Sequence, residues 1–415
     1  MKLRGARVCI VAENASTRLG GEAILPFHYF RLLRDRGVDA HLIVHERVRA
    51  ELEEAFAKDR ERLHFVEDQT LQKIFFRMSE WLPRRVAEAT LGLANQMLTQ
   101  MAQRKVIRAL AKEAMVVHQP IPVSPRFPSM MWDLDAPVVM GPLNGAMEYP
   151  AAFRGSESWM SRCAIALGRS LSDAVNELLP GKRNAAVVLV ANERTRKALP
   201  SGLLGGVLEL VENGVDLAQW SGESAPMEDD SKRFVFVGRL VDWKALDVAI
   251  EAVRAVDGAS LEVIGDGPML DAWRKFAVDA GVAERVKFSG WKAQAECAVR
   301  LRGACALVLP SIYECGGAVV LEAMACAKPV IATAWGGPID YLDASCGVLV
   351  EPSSREALVK GFAVAMQRMI DEPELAAQMG RAGRTRVVER FDWEKKVDAL
   401  MRVYESVLPV DIEVI

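Results

Sequence analysis

The chain has 415 residues, which is too long for one ordinary hydrophobic core and predicts two or three domains. Hydrophobic residues make up 51% and charged residues 26%, a composition typical of globular rather than disordered proteins. The formal net charge of -3 provides no global basic field, so a nucleic-acid partner is not indicated.

In the first half of the chain, short apolar runs alternate with amphipathic stretches, and no short-period repeat or low-complexity tract interrupts them. The predicted strands are Val8–Val11, Ala40–Val44, Leu63–Val66, Met115–His118, Val138–Gly141, Val187–Ala191 and Leu208–Val211. The stretch Phe27–Asp35 is a predicted helix, with Arg36-Gly37 as its stop signal.

The second half repeats the scheme. Its predicted strands are Phe234–Gly238, Leu261–Gly265, Val286–Ser289, Ala306–Leu309, Val330–Thr333 and Val348–Val350. Continuous apolar strands that alternate with helices predict parallel sheets covered on both faces, hence an α/β fold with two Rossmann-like domains. The polar, turn-rich stretch 219–230 is the expected boundary between them. We predict domains over 1–218 and 219–392, followed by a final helical segment over 393–415.

Cysteine usage and the amino-terminal sequence predict the compartment. Seven cysteines are scattered without Cys-x-x-Cys pairs, and this odd count favours a reducing environment over a disulfide framework. The first residues run directly into a predicted strand, without an apolar stretch suited to a signal peptide or a spanning helix. The five histidines lack the spacing of a zinc site. We therefore expect a cytoplasmic protein without a metal or other cofactor.

The stretch Tyr313–Ala325 carries the strongest chemical signal. Glu314 and Glu322 flank the pair Gly316-Gly317 and an apolar run that predicts the first turns of a helix. The first backbone N–H groups of a helix lack internal partners, and its dipole is positive there, so this terminus attracts phosphate oxygens. Glycine lets the backbone approach a ligand closely. Carboxylates accept hydrogen bonds from sugar hydroxyls, although an isolated pair is more often a helix cap and a solvated residue.

A second segment favours a functional role for the two glutamates. The predicted strand Phe234–Gly238 is followed by Arg239 and Lys244, five positions apart. Cations just past a strand end, facing a helix N-terminus, would stabilise the oxygens of a departing pyrophosphate.

These segments together resemble the family 4 (group 1) retaining glycosyltransferases, which have the GT-B fold of two Rossmann-like domains facing a cleft and two glutamates separated by seven residues. The resemblance covers nearly the whole chain and is densest from Val211 onward. The matching segments are Leu19–Glu22, Val211–Asp216, Val263–Pro268, Val286–Trp291, Pro329–Thr333 and Gly336–Pro338. The family usually has Glu-Gly-Phe-Gly where this chain has Glu314-Cys315-Gly316-Gly317, so the phosphate loop lacks its aromatic residue. The chain also departs from the family pattern at Ala245, Ala327 and Asp340.

The resemblance implies transfer of a sugar from UDP- or GDP-sugar to a hydroxyl of a saccharide or lipid-linked acceptor, with retention of configuration and without a metal. Glu314 would hold sugar hydroxyls, and Arg239 and Lys244 would stabilise the diphosphate. Glu322 would contact the ribose. The donor-binding set implied by the motifs is Gly20, Gly21, Gly238, Gly265, Trp291, Cys315, Gly316, Gly317 and Glu322. The last helix would pack back on the first domain. Bacterial cell-surface polysaccharide or glycolipid biosynthesis is the implied setting.

Two polar residues of the first half are further candidates. His118 ends a predicted strand at the position where the family often has a histidine that meets the donor sugar. Its alternative role is that of a hydrogen-bonded structural residue. Asn144 follows the next strand and is a candidate for contact with the acceptor or the sugar, or else a turn residue.

Other functions remain as alternatives. A nucleotide-sugar epimerase of the same fold would release a free sugar and need no second substrate. A glycosyltransferase-like binding protein without turnover would not need both glutamates and both cations. A nicotinamide enzyme is disfavoured, because Leu270 stands where a dinucleotide fingerprint beginning at Gly265 requires its third glycine.

In the region 69–115, apolar residues are interspersed among cations. Its lysines and arginines outnumber its acidic residues eight to three, and Phe75, Phe76, Trp81 and several leucines and methionines lie among them. The region 153–183 has a similar mixture. Basic amphipathic helices bind anionic membrane surfaces, so we expect a peripheral enzyme on the inner face of the cytoplasmic membrane. The alternative is that both regions are ordinary helices whose apolar sides are core.

Overall fold

The computed structural model describes residues 3, 5–19, 21–79, 81, 88–156, 172, 174–220 and 231–408. The chain divides into two compact units. The N-terminal unit comprises Met1–Ala146, Ser158–Glu212 and Lys396–Ile415, and the C-terminal unit comprises Met147–Glu157 and Asn213–Lys395. The segment Met147–Glu157 therefore packs with the second unit, a crossing that the predicted boundaries did not include.

The N-terminal unit is built on a parallel sheet of seven strands among its described residues. The strands are β1 Arg7–Val11, β2 Asp39–His45, β3 Leu63–Val66, β4 Met115–Gln119, β5 Val138–Leu143, β6 Val187–Val190 and β7 Gly206–Glu209. They lie in the order β3-β2-β1-β4-β5-β6-β7. The helices described in this half are α1 Ile24–Asp35, α2 Arg49–Ala55, α3 Thr70–Ser79, α4 Leu93–Ala109, α5 Pro180–Arg183 and α6 Glu193–Arg196.

The C-terminal unit has a parallel sheet of six strands among its described residues. The strands are β8 Arg233–Val237, β9 Ser260–Ile264, β10 Val286–Gly290, β11 Ala306–Leu309, β12 Val330–Thr333 and β13 Gly347–Val350. They lie in the order β10-β9-β8-β11-β12-β13. The remaining helices are α7 Leu217–Trp220, α8 Leu246–Arg254, α9 Leu270–Asp279, α10 Gln294–Arg302, α11 Ala318–Ala325, α12 Gly337–Tyr341, α13 Arg355–Asp371, α14 Pro373–Arg390 and α15 Trp393–Val407.

Both sheets confirm the predicted α/β class with two Rossmann-like domains. The central strands are buried along their whole length, as in β4, β5, β6, β11 and β12. Such burial explains why these strands are continuous apolar runs rather than alternating ones. In the N-terminal unit, the residues around Val117, Met140 and Val190 form one buried cluster under the sheet.

Helix α15 connects the end of the chain to the N-terminal unit from Lys396 onward. Arg36 of that unit forms an ion pair with Asp398 at 2.8 Å. The ammonium of Lys396 is buried and donates to the carbonyl of Glu212. Burial lowers the pKa of Lys396 well below its usual range, and the Glu212 carboxylate opposes this shift. Polar contacts as well as apolar packing therefore hold this helix.

Among the described residues, no helix is both long and apolar enough to cross a membrane. The same described residues contain no group of three or more histidine, cysteine, aspartate or glutamate side chains arranged to hold a metal ion.

Candidate functional site

Each sheet reverses its strand order at one point, and ligands of open α/β sheets bind beyond the carboxyl ends of the strands at such a point. In the C-terminal unit the reversal lies between β8 and β11, which are hydrogen-bonded neighbours. Arg239 and Lys244 follow β8, and Glu314 follows β11. The sequence segments that carry the strongest chemical signal therefore meet at the switch point of this sheet.

Lys244 and Glu314 are in direct contact. The Lys244 ammonium donates a hydrogen bond to the Glu314 carboxylate and forms an ion pair with it. The two side chains are only 14% and 13% exposed, so water screens this pair less than a surface pair. The Trp243 carbonyl also accepts from the Ile312 N–H at 2.9 Å, which ties the loop after β8 to the loop after β11.

The loop that contains Cys315, Gly316 and Gly317 leads directly into α11. Gly317 has a φ of +80°, a left-handed conformation that glycine adopts without strain, and it precedes the first helical residue, Ala318. The helix thus begins about two residues later than the sequence indicated. A Cβ at Gly317 would lie 3.1 Å from the Cγ of Glu314 and would push that side chain aside. Glycine at this position therefore leaves room for the Glu314 side chain.

Two further glycines support the Glu314 loop from the β12 side. The Gly337 N–H donates to the Glu314 carbonyl at 2.7 Å. A Cβ at Gly336 would collide with that carbonyl, and one at Gly337 would collide with the carbonyl of Gly316. Close backbone packing therefore requires glycine at both positions, and it fixes the orientation of the loop in front of α11.

Glu322 lies on α11, more than one turn inside the helix. Burial raises the pKa of its carboxyl group to about 7. The carboxylate in turn raises the pKa of the Cys297 thiol, after the larger effect of burial, which places Glu322 on the side of α11 that faces α10. A carboxyl group with this pKa can both donate and accept a hydrogen bond near neutral pH.

The remaining candidates of this unit lie along the same edge of the sheet. Arg239 is exposed directly after β8. Gly238 and Gly265 end neighbouring strands and pack backbone to backbone, since a Cβ at Gly265 would collide with the Gly238 carbonyl. Trp291 follows β10 and is 69% exposed. The structure thus brings these residues to one edge of the sheet, where Lys244 is in direct contact with the Glu314 carboxylate.

The candidates of the N-terminal unit have a different environment. Gly20 lies outside the described residues. Gly21 is exposed, has a φ of +56°, and begins the short helical turn before α1.

His118 is fully buried, and both of its ring nitrogens are engaged inside the protein. Nε2 lies 2.6 Å from the Gly141 carbonyl and Nδ1 lies 2.8 Å from the Tyr404 hydroxyl. Burial lowers the pKa of His118 to about 4, with a smaller contribution from Lys396, while the hydrogen bond to Gly141 opposes the shift. This arrangement favours the structural role, because no face of the ring is open to a sugar.

Asn144 is also buried. Its amide donates to the Glu212 carboxylate, and its oxygen lies 3.4 Å from the Asn192 amide. These contacts favour a structural role in a buried polar network over contact with a substrate.

Sequence reasoning missed a polar group at the switch point of the N-terminal sheet, between β1 and β4. Gln96, Gln100 and Gln103 on α4 lie with Gln119 and Glu13 around one recess. The three helical glutamines are spaced i, i+4 and i+7, which places them on one face, and this spacing is the signal that was available.

Two Rossmann-like units, with an acid–base pair and a glycine-rich loop at one switch point, define the class of two-domain glycosyltransferases with the GT-B fold. The model of the family "Glycosyl transferases group 1" matches residues 222–386. Solved structures of low sequence identity share the fold. The Anabaena protein Alr3699/HepE, solved with UDP, has a TM-score of 0.66 at 16% identity, covering 97% of this chain and 100% of that one. A glycosyltransferase from Rickettsia africae has a TM-score of 0.66 at 15% identity, covering 97% and 98%.

Among sequence relatives, a GDP-mannose-dependent alpha-(1-6)-phosphatidylinositol monomannoside mannosyltransferase of Mycobacterium tuberculosis is 30% identical over 273 residues, which are 61% of this chain and 68% of the relative. A glycogen synthase of the same species is 29% identical over 257 residues, 60% of this chain. That match spans only 56% of the glycogen synthase. The chain therefore belongs to the group 1 glycosyltransferases, which confirms the group 1 membership predicted from its motifs.

Proposed function

We propose that this protein transfers a glycosyl unit from a nucleoside diphosphate sugar, UDP- or GDP-linked, to an acceptor hydroxyl with retention of configuration and without a metal ion. The observation that carries this proposal is the Lys244–Glu314 pair in front of the glycine-rich start of α11, at the switch point of the C-terminal sheet. The site offers a cation for a diphosphate, Lys244, in direct contact with a carboxylate for hydroxyl groups, Glu314.

In the proposed reaction the bond between the anomeric carbon and the diphosphate oxygen breaks, and its electron pair stays on that oxygen. Lys244 and Arg239 stabilise the negative charge that develops there. The acceptor oxygen forms its bond to the anomeric carbon on the same face, and its proton goes to the departing phosphate. A diphosphate that binds Lys244 takes over its interaction with Glu314, which leaves that carboxylate to accept hydrogen bonds from sugar hydroxyls.

Named properties of similar proteins support the donor class. Alr3699/HepE was solved with UDP and with UDP-glucose, and the mycobacterial mannosyltransferase is named as GDP-mannose-dependent. Trp291, exposed after β10, is our proposed contact for the nucleobase side of the donor.

A thermal-shift screen of nucleoside diphosphates and their sugars tests donor binding. A ligand that binds only the folded protein stabilises it by mass action and so raises its melting temperature. At a ligand concentration one hundred times Kd, the stabilisation is about 2.7 kcal/mol. We expect the nucleotides of one base to raise the melting temperature clearly. In Glu314→Gln the shift with the free nucleoside diphosphate should be retained, whereas the shift with the nucleotide sugar should be smaller. Absence of a shift with every nucleotide contradicts the proposal.

Product analysis separates transfer from epimerisation. With the nucleotide sugar alone, an epimerase releases free sugar at its full rate, whereas the proposed transferase needs the acceptor and releases sugar only slowly. Unchanged turnover of Glu314→Gln on the true substrates contradicts the assigned role of that carboxylate.

We further propose that the acceptor is a saccharide held at a membrane, as in cell-surface polysaccharide or glycolipid synthesis. Helix α3 supports this, because its apolar residues point outward. Leu71, Ile74 and Met78 are 45%, 48% and 51% exposed, and Trp81 just beyond the helix is 88% exposed. The exposed cations Lys73 and Arg77 lie among them. Apolar side chains flanked by cations suit an anionic lipid surface.

Co-sedimentation with phosphatidylglycerol vesicles at low salt tests the membrane proposal, with phosphatidylcholine vesicles as the neutral comparison. We expect wild-type protein to bind the anionic vesicles and the double variant Ile74→Gln/Met78→Gln to lose most of that binding. Val278→Gln is the matched control, since Val278 is 64% exposed on α9 of the other unit. Folded wild-type protein that ignores anionic vesicles contradicts the proposal. Most of the region 153–183, including Trp159, lies outside the described residues.

A further inference from the structure

The segment 147–154, here called the strap, follows β5 of the N-terminal unit in sequence but packs within the C-terminal unit. The change of unit falls at Ala146, which has a φ of +57°. A residue other than glycine is uncommon in this left-handed conformation and keeps it only where the surrounding structure determines it. The strap therefore begins with a defined turn, and its contacts have to be strong enough to maintain that turn.

The strap is closed on itself by one of its own side chains. The guanidinium of Arg154 donates to the Tyr149 carbonyl at 3.0 Å and forms an ion pair with Glu148 at 3.1 Å. The Phe153 N–H donates to the Pro150 carbonyl at 2.8 Å, and Pro150 is buried. These contacts give the strap a defined shape, so the groups that it presents to its neighbours have defined directions.

The first neighbour of the strap is Tyr313, which directly precedes Glu314. The rings of Tyr149 and Tyr313 pack with their centroids 5.0 Å apart and an angle of 36° between their planes. The Tyr313 hydroxyl also donates to the Met147 carbonyl at 3.4 Å. Two contacts of the strap thus hold the residue whose peptide group continues into Glu314.

The second neighbour is Trp335, which directly precedes Gly336 in the other support of the Glu314 loop. The indole N–H of Trp335 donates to the Glu148 carbonyl at 2.7 Å. The sulfur of Met147 packs against Gly336, because a Cβ at that glycine would lie 2.5 Å from it. The strap therefore contacts both of the loops that fix the backbone of Glu314.

Backbone support of Glu314 matters most when a donor is bound. In the structure its carboxylate is held by Lys244. In the proposed reaction the diphosphate takes over Lys244, so the position of the carboxylate then depends on the backbone that carries it. A misplacement of about 1 Å at a reacting centre can lower turnover about a hundredfold.

We propose that the strap positions the Glu314 carboxylate for the donor sugar, with Tyr149, Tyr313 and Trp335 as positioning residues. The inference rests on the proposed function for the role of Glu314. It adds three aromatic side chains to the residues on which turnover depends, and each acts through the Glu314 loop rather than by touching the substrate.

Hydrogen-exchange mass spectrometry tests this positioning without a substrate. The Gly337 N–H is the readout, because it donates to the Glu314 carbonyl at 2.7 Å. We expect peptides that contain Gly337 to exchange about two- to tenfold faster in Tyr149→Ala, as loss of one aromatic pair predicts. Tyr149→Phe keeps the ring and should exchange like wild type. Phe276→Ala is the matched control, since Phe276 is a partly buried aromatic residue of the same unit that packs against Arg355.

Trp335→Phe provides a second variant, which keeps a ring at this position and removes the N–H that donates to Glu148. It is expected to accelerate the same exchange. Peptides from β9 report on the stability of the whole unit, and their exchange should not change in either variant.

The kinetic test uses the donor identified by the melting shifts. Tyr149→Ala is expected to lower kcat about tenfold and to retain the melting shift caused by UDP or GDP, because it leaves the cations in place. In the Glu314→Gln background, Tyr149→Ala should lower kcat no further, since it acts through that carboxylate. A merely structural residue would lower kcat by the same factor in both backgrounds.

Three results would overturn the inference. They are exchange at Gly337 that is unchanged in Tyr149→Ala and Trp335→Phe or equally accelerated in β9, equal kcat of wild type and Tyr149→Ala, and equal losses of kcat in the two backgrounds. Absence of every nucleotide melting shift in wild-type protein contradicts the proposed function instead. The exchange result would still decide whether the strap positions the loop, so the two failures are distinguishable.

Discussion

The two units place their polar candidate residues at the same topological point but build them from different parts of the chain. In the C-terminal unit Lys244 and Glu314 stand on loops, after β8 and β11, while α11 packs Val320, Leu321 and Met324 inward beside Glu322. In the N-terminal unit the groups stand on the inward face of α4 itself. The comparison shows that a parallel sheet can gather polar side chains beyond its strand ends either from its loops or from the helix that covers them.

The difference also affects how polar groups are distributed. The N-terminal unit contains all five histidines and the buried pair Lys396 and Glu212. The helix behind the Glu314 loop buries mostly apolar residues, such as Val320, Leu321 and Met324, with Glu322 beside them. We therefore expect substitutions at the C-terminal loops to change catalysis most, and acid to destabilise the N-terminal unit most.

The largest expected effect is on activity at the C-terminal switch point. Lys244→Met removes the cation that we assign to the leaving diphosphate and leaves Glu314 without its ion-pair partner. Loss of one such electrostatic contact lowers turnover about 100- to 1,000-fold. Steady-state kinetics with the donor found by thermal shift provide the measurement.

Lys275→Met is the control for that substitution, because Lys275 is exposed and pairs with Asp279 one helical turn away. Its kcat/KM is expected to stay within twofold of wild type. If Lys244→Met retains comparable turnover, the loops of the C-terminal unit are not the catalytic part of the molecule, and the contrast between the two units fails.

A second effect concerns acid and the N-terminal unit. Because burial lowers the pKa of His118 to about 4, the unfolded chain takes up a proton below the ordinary value of 6.5 and the folded chain does not. The contribution of neutral His118 to the free energy of unfolding is complete above pH 6.5 and is lost as the pH falls toward 4. The loss is about 1.4 kcal/mol per pH unit, or about 3 kcal/mol in total.

Urea unfolding of wild type and His118→Asn between pH 7 and pH 4.5 measures this contribution. The unfolding free energy of the variant is expected to fall less steeply with acid, although not to become flat. Burial also lowers the pKa of His41 to about 4. His41→Asn should therefore reduce the acid dependence of the unfolding free energy by a similar amount. Parallel curves for wild type and His118→Asn would show that His118 is not the titrating group.

The sheets and the C-terminal candidate site were largely predictable from sequence. Strands such as β11 and β12 appear with the predicted bounds, because continuous apolar runs between turn signals are typical of buried parallel strands. The Glu314 loop was found because loop-borne sites leave short motifs of glycine and charged residues. The pairing of Lys244 with Glu314 is compatible with the predicted roles, which stay predictions.

The N-terminal candidates were harder to predict for physical reasons. The partner of His118 is Tyr404, 286 residues later, so no local pattern distinguishes a buried histidine from a ligand-binding one. Glutamines at positions 96, 100 and 103 have the spacing of an ordinary solvated helix face, and only the packing of α4 shows that this face points inward. The identity of the inward face depends on tertiary contacts that periodicity does not encode.

Helix α3 gives the smallest expected effect and the sharpest test of which helix face is inward. The sequence left open whether its apolar side is core, and in the structure Ile74 is 48% exposed while Gln72 is 4% exposed and donates to Thr99 at 2.9 Å. Ile74→Gln should therefore change the free energy of unfolding by no more than about 0.5 kcal/mol, whereas Ile107→Ala, at a fully buried position of α4, should cost about 2 to 5 kcal/mol. Urea denaturation of both variants provides the measurement. A loss above about 1.5 kcal/mol for Ile74→Gln would mean that this side of α3 is core and would remove the basis for its contact with lipid.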